Sequence, residues 1–303
     1  MVRMRRKPPK PWKGDGLVFV AGHPRSGTTF LGRLLGAHPQ LGYWEEPEVA
    51  HFAAQLFHDL YRLNRRLAID SNVDVRSLLE RDNTIDFPLT EEEDVAAYRR
   101  AVRGTRKAVH QLLDEFRRRS GTPMVVDKTP GTVGLLDPVR DLMPEAKIVH
   151  IIRDPRDIAT SVLRITERRG RPGFIPAEGD VVEAVAHHWV DMVTGGLASA
   201  EERGAAAIHT LRHEDLVVDP DGQFRPVLAF LGLAWVPEIT AFLNEGNRQD
   251  RPRAQVREAG IDAARAGVWQ DKLPPEDAEL VVSIAGQLMT QLGYDIGGSV
   301  SSG

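Results

Sequence analysis

Cysteine is absent from the 303-residue chain, which excludes disulfides, a thiol nucleophile and thiolate-bound metal. Its absence fits a reducing compartment, and a cytoplasmic location is expected. Also missing is any apolar run near the ~20 residues that a membrane-spanning helix needs. The run Leu17–Ala21 is too short for that, and too short for the core of an export signal. No HExxH, EF-hand loop or clustered His/Asp ligand pattern occurs, so no protein-held metal is expected. Nor is there a basic excess: the formal charge of -4 argues against a nucleic-acid partner, whose phosphates favour a basic surface. No repeat and no long linker divides the chain. What is present is ordinary for a folded domain, with 42% hydrophobic and 27% charged residues.

The N-terminal MVRMRRKPPKPWK holds six basic and no acidic residues, so residues 1–16 read as a disordered, basic, proline-rich tail. The C-terminal GGSVSSG, residues 297–303, reads as a flexible end, leaving a single domain over 17–296. Within it, four apolar runs predict buried parallel strands: Leu17–Ala21, Met124–Val126, Lys147–Ile152 and Ala206–Leu211. Gln40–Trp44 is a fifth candidate. Between them lie helical patterns at Thr28–Gly36, Glu91–Arg119, Ile158–Arg168, Asp180–Arg203 and Pro274–Leu292. Strands alternating with helices predict an α/β fold with a central, mainly parallel sheet flanked by helices. Such sheets bind ligands at the carboxyl ends of their strands. Topology therefore gathers Arg25, Glu45, Glu46, Lys128 and Arg153 on one rim.

The segment LVFVAGHPRSGTTFLGRLL, residues 17–35, reads as strand, glycine loop and helix, a construction that aims backbone N–H groups at a phosphate. A triphosphate loop carries lysine directly after its second glycine. Here that place holds Thr28, and the cation Arg25 stands before Ser26-Gly27 instead. Arg25 is a candidate clamp for charge on a departing oxygen. Ser26, Gly27, Thr28 and Thr29 supply backbone N–H groups, with the threonine hydroxyls as added donors.

Glu45, Glu46 and Glu48 surround Pro47. Each suits either a helix start or a general base that accepts a proton from an attacking hydroxyl. Lys128, in Asp127-Lys128-Thr129-Pro130, is a flexible point charge just past a strand. In Arg153-Asp154-Pro155-Arg156-Asp157, Asp154 predicts an N-cap, Pro155 the first helical residue and Asp157 a favourable charge in the first turn. Helix initiation explains those three and leaves Arg153 unexplained. His187 and His188 point about 100° apart on a helix, so they read as core or surface histidines rather than metal ligands.

Together these pieces resemble the nucleotide-dependent sulfotransferase superfamily, whose donor is 3′-phosphoadenosine 5′-phosphosulfate (PAPS). Gly22–Thr29 is similar to its 5′-phosphosulfate loop. KIVHIIRDPRDIATSVL, residues 147–163, is similar to its 3′-phosphate element, with Arg153 and Ser161 matching in type and in their spacing of eight. The stretches PRSGTTFLGRLLGAHPQLGYWEEP, DKTP and VWQDKLPP…LGYD resemble the branch of tyrosylprotein sulfotransferases and bacterial relatives. The resemblance implies a P-loop-like three-layer sandwich without a metal. It implies Arg25 as the catalytic arginine, Glu46 as the base and Lys128 as a contact to the sulfuryl group. Ser26, Gly27, Thr28, Thr29, Arg153 and Ser161 then hold the donor. Arg265, before Ala266-Gly267, resembles the Arg-Lys-Gly donor contact of cytosolic members, with alanine in place of the second cation. The implied acceptor is a small molecule, glycan or lipid hydroxyl, and nothing implies nucleic acid or a membrane segment. The stretch Phe52–Thr122 matches nothing in the family pattern. The competing readings are a Mg²⁺-dependent small-molecule kinase and a non-catalytic nucleotide-binding module.

Overall fold

In the computed structural model, which describes residues 13–45, 92–136, 139, 143–245 and 266–297, five strands form one all-parallel sheet. They are β1 (Leu17–Ala21), β2 (Leu41–Glu45), β3 (Met124–Lys128), β4 (Lys147–Ile152) and β5 (Ile208–Arg212), in the order β2-β3-β1-β4-β5. The helices between them are α1 (Thr28–Gly36), α2 (Glu92–Arg119), α3 (Pro155–Arg169), α4 (Val181–Arg203), α5 (His213–Val218), α6 (Pro220–Leu231), α7 (Pro237–Glu245), α8 (Trp269–Lys272) and α9 (Pro275–Gln291). A 3-10 turn spans Pro130–Leu135. Among the described residues, no helix is long and apolar enough to cross a membrane.

Period-two alternation decides which helices cover which face of the sheet. Leu17, Phe19, Ala21, Ile148 and Ile208 pack with Leu113 of α2, Val133 and Met192 of α4. Val18, Val20, Val149, Ile151 and Leu211 pack with Leu31, Leu34 and Leu35 of α1 and with Phe224 and Leu228 of α6. A third cluster joins α3, α4 and α9 around Trp189, which is fully buried. Central β1 is buried along its whole length, as a strand covered on both faces must be.

The element boundaries carry their causes in the sequence. Asp154 caps α3 by accepting from the Arg156 N–H at 2.9 Å, with Pro155 in the first turn, as its position predicts. Asp180 caps α4 through the Glu183 N–H at 2.8 Å. Three strands differ from the apolar pattern, β2 by a shift of one residue to Leu41–Glu45. β5 begins at Ile208 rather than Ala206, because Ala206 and Ala207 finish the turn off α4: the Ala207 N–H bonds to the Gly204 carbonyl. β3 runs two residues beyond Val126, since Asp127 pairs with Phe19 and Trp44 and Lys128 pairs with Glu45 in the ladder. Ahead of β1, the Lys13 carbonyl accepts from the Glu145 N–H and the Gly14 carbonyl from the Leu17 N–H. Residues 1–12 and 298–303 of the expected tails lie outside the described residues, as do 46–91.

Candidate active site

The loop leaving β1 is forced into a tight path by two glycines. At Gly22 a side chain would sit 2.4 Å from the Ile151 carbonyl oxygen. At Gly27, φ is 90° and a Cβ would lie 2.4 Å from the His213 ring. Gly27 precedes α1 and no side chain caps that helix, nor does an acidic residue sit in its first turn. The first amides of α1 therefore have no intrahelical acceptor and face the loop with the positive end of the helix. Ser26 is fully buried, and its Oγ has no partner among the described residues. A buried hydroxyl left this way costs ~1–3 kcal/mol unless it bonds a guest. Both features fit an anion held in the loop.

Arg25 adopts φ 76°, the left-handed region, at a cost of ~1–2 kcal/mol for a non-glycine residue. Its neighbours hold it there. The Arg25 Nε donates to Ser161 Oγ at 3.0 Å, and Arg153 Nη1 donates to the Arg25 carbonyl at 3.1 Å. The fold thus joins three of the sequence candidates, although Ser161 lies 136 positions from Arg25. Arg153 is fixed from behind, its carbonyl accepting from Trp189 Nε1 at 2.9 Å and its Nη2 bonding Asp157 Oδ2 at 3.2 Å. Asp157 also accepts from the amides of Gly267 and Trp269, so it does more than favour the helix dipole. Burial raises its pKa above the usual carboxylate value, opposed by Arg153 and the two amides.

Lys128 ends β3 and is 1% exposed, its stem lying along α1 beside Gly32. It is a buried strand residue rather than the loop lysine that the apolar pattern predicts. Neighbouring Asp127 is pushed up to about 6 by burial, with Thr129 Oγ1 donating to it at 2.8 Å. Glu45, opposite Lys128 in the ladder, faces Arg33 Nη2 with both carboxylate oxygens at 3.2 Å. Glu46 follows directly in the chain and lies outside the described residues, as do Glu48 and Arg265.

A histidine pair beside the loop escapes sequence reasoning. His188 Nδ1 and His23 Nε2 are 2.9 Å apart, and His23 Nδ1 lies 2.6 Å from the Pro24 carbonyl. A carbonyl only accepts, so the neutral His23 ring donates from Nδ1 and accepts at Nε2 the hydrogen bond of the His188 Nδ1–H. Burial, then repulsion from His188, lowers the His23 pKa to about 3. Phe174 stacks on His188 with centroids 5.4 Å apart. No local pattern marks this contact, because its two histidines are 165 positions apart. His187, beside it, is exposed.

The C-terminal stretch reaches the same rim. Trp269 lies 3.8 Å from the Arg156 guanidinium, itself held by Asp154 at 2.7 Å and by the Asp295 carbonyl. Tyr294 donates to Glu214 Oε2 at 3.1 Å, while Glu214 Oε1 accepts from the Asp154 N–H at 2.9 Å. Burial raises both the Glu214 and the Tyr294 pKa. The arrangement as a whole sets Arg25 and Arg153 next to each other, each held by hydrogen bonds to its neighbours.

A family model described as the sulfotransferase family matches residues 18–237. Nodulation protein NoeE of Sinorhizobium fredii is 26% identical over 298 residues, covering 92% of this chain and 66% of that protein. The protein-tyrosine sulfotransferase of Drosophila melanogaster is 24% identical, covering 92% of this chain and 52% of that protein. The chain thus spans about half to two thirds of the length of these two relatives. Among solved structures, a sulfotransferase domain from the Curacin biosynthetic pathway superposes with a TM-score of 0.62 at 19% identity, over 93% of this chain and 98% of that one. At that identity the likeness speaks for the fold.

Proposed function

The chain belongs to the sulfotransferase family, and from that premise we propose that it moves a sulfuryl group from PAPS to an acceptor hydroxyl by in-line displacement. One observation supports the donor assignment: Arg153 Nη1, just after β4, donates to the Arg25 carbonyl, in the loop after β1, at 3.1 Å. A donor with phosphate on both its 3′ and 5′ sides suits this pairing. In this reading Arg153 and Ser161 hold the 3′-phosphate, with Arg265 as a further contact. Arg25 and the amides and hydroxyls of Ser26, Gly27, Thr28 and Thr29 hold the 5′ side.

The acceptor oxygen attacks sulfur as Glu46 takes its proton, and the sulfur–oxygen bond to the 5′-phosphate breaks with its electron pair passing to that phosphate. Arg25 and Lys128 stabilise the negative charge on the equatorial and departing oxygens. The pairing of Glu45 with Arg33 favours Glu46 over Glu45 as the base. A metal bridge is not required, because the donor has no β,γ-diphosphate to span. The cysteine-free composition supports a cytoplasmic setting. Sugar, lipid and natural-product alcohols or phenols are the acceptor classes to screen with labelled PAPS, read by mass.

The test of the donor is thermal. The nucleotide 3′-phosphoadenosine 5′-phosphate (PAP), without metal, is expected to stabilise the protein by ~2.7 kcal/mol when present at 100 times its Kd. ATP with Mg²⁺ is expected to leave the melt unchanged. The opposite pattern ends this reading in favour of a kinase.

A further inference from the structure

Asp157 ties three separate pieces of chain to one carboxylate. Its side chain is 0% exposed. Oδ1 accepts from the Trp269 N–H at 2.9 Å, and Oδ2 accepts from the Gly267 N–H at 3.0 Å and from Arg153 Nη2 at 3.2 Å. Arg153 passes the connection on through Nη1 to the Arg25 carbonyl, in the loop where Arg25 is held at φ 76°. The C-terminal turn, the end of β4 and the loop after β1 therefore meet at a single buried group.

Helix capping does not account for this carboxylate, because Asp154 already caps α3. The two amides bond different oxygens, Trp269 at Oδ1 and Gly267 at Oδ2, and Arg153 shares the second, so both carboxylate oxygens are engaged at once. A buried charge is retained only when it is paired, and here the pair is the guanidinium whose other end orders the anion loop. Bonds at both Nη atoms set the plane of Arg153, and a planar fork recognises phosphate only in a fixed orientation.

We propose that Asp157 is a positioning residue that presents Arg153 to the 3′-phosphate of the donor and, through Arg153, sets the backbone of Arg25. Recognition of the 3′-phosphate and the posture of the transferring arginine then form one device. The proposal rests on the donor reading above.

The experiment measures Kd for PAP and for adenosine 5′-monophosphate by calorimetry, in the unmodified chain and in Asp157→Asn and Asp157→Ser, each checked for a cooperative melt. Asp157→Asn keeps one oxygen acceptor and sets an NH2 donor at the other position, Asp157→Ser keeps a single shorter hydroxyl, and both remove the charge. The unmodified protein is expected to prefer PAP by ~100-fold or more, the scale of two charge-assisted hydrogen bonds. In the variants that ratio is expected to fall to ~10-fold or less, with the monophosphate Kd also weakened but by the smaller factor, since Arg25 keeps its bond to Ser161. An unchanged ratio in a variant that melts cooperatively overturns the proposal. So does the failure of both variants to fold, which assigns the carboxylate a structural role alone. An unmodified protein without a preference for PAP overturns the donor reading itself, and is told apart because no substitution is involved.

Discussion

His150 and His23 are buried bases, and together with Asp127 they govern how stability responds to acid. His150 sits in β4 with neither ring nitrogen bonded among the described residues, and burial lowers its pKa to about 4; that of His23 is about 3. Unfolded, each binds a proton near pH 6.5. Below that value the unfolded state holds more protons than the native state, so stability is full above pH 6.5 and falls as the pH drops. Asp127 acts oppositely. Its folded pKa of about 6 lies above the unfolded value of 3.8, so protonating it on the way down from pH 7 favours the native state. Among these three groups the two histidines outweigh the aspartate and contribute a net loss in urea melts of roughly 2 kcal/mol between pH 7 and pH 5, to which His188 adds and which Asp157 and Glu214 oppose. His150→Met is expected to make that loss shallower. An unaltered slope in that variant removes His150 from the account.

The junction of the anion loop with α1 depends on one residue having no side chain. Gly27 combines φ 90° with a ring of His213 where its Cβ would stand, and His213 is itself buried. Gly27→Ala therefore meets both backbone strain and overpacking, and is expected to lower the unfolding free energy by ~2–4 kcal/mol. Urea denaturation reads this directly, and a loss below ~0.5 kcal/mol contradicts the crowding at that site. The loop, α3 and the turn before α8 behave as linked elements, since Arg25, Ser161, Arg153, Asp157 and Gly267 are joined by successive hydrogen bonds.

For the whole molecule, the parallel sheet is what brings the residues of the proposed site together. Three strands carry their residues toward the same edge: Arg25 on the loop after β1, Lys128 at the end of β3, Arg153 directly after β4. On the proposed mechanism, Arg25→Ala and Glu46→Gln each lower sulfuryl transfer from PAPS at least ~10²-fold, measured by mass with whichever acceptor the screen returns. Glu46→Gln is expected to leave PAP binding within a few-fold, since the base serves the acceptor. Full activity in both variants removes Arg25 and Glu46 from the mechanism, and PAP binding without transfer to any acceptor by the unmodified chain returns the molecule to a nucleotide-binding module.

Local pattern alone determined the strands at Leu17–Ala21 and Lys147–Ile152, the Asp154 cap with Pro155 behind it, and the glycine loop after the first strand, whereas the Arg153–Ser161 spacing of eight spoke only through the family resemblance. These follow from neighbours in the chain: the alternation of side chains, the geometry of a helix start, the backbone freedom of glycine. Tertiary structure decided the rest. The strand order β2-β3-β1-β4-β5, the His23–His188 bond, the burial of Lys128 and the anchoring of Gly267 and Trp269 on Asp157 leave no local trace. Each joins residues brought together only when the sheet closes, and a charge or an imidazole reveals its partner only once burial has removed the water that would otherwise satisfy it.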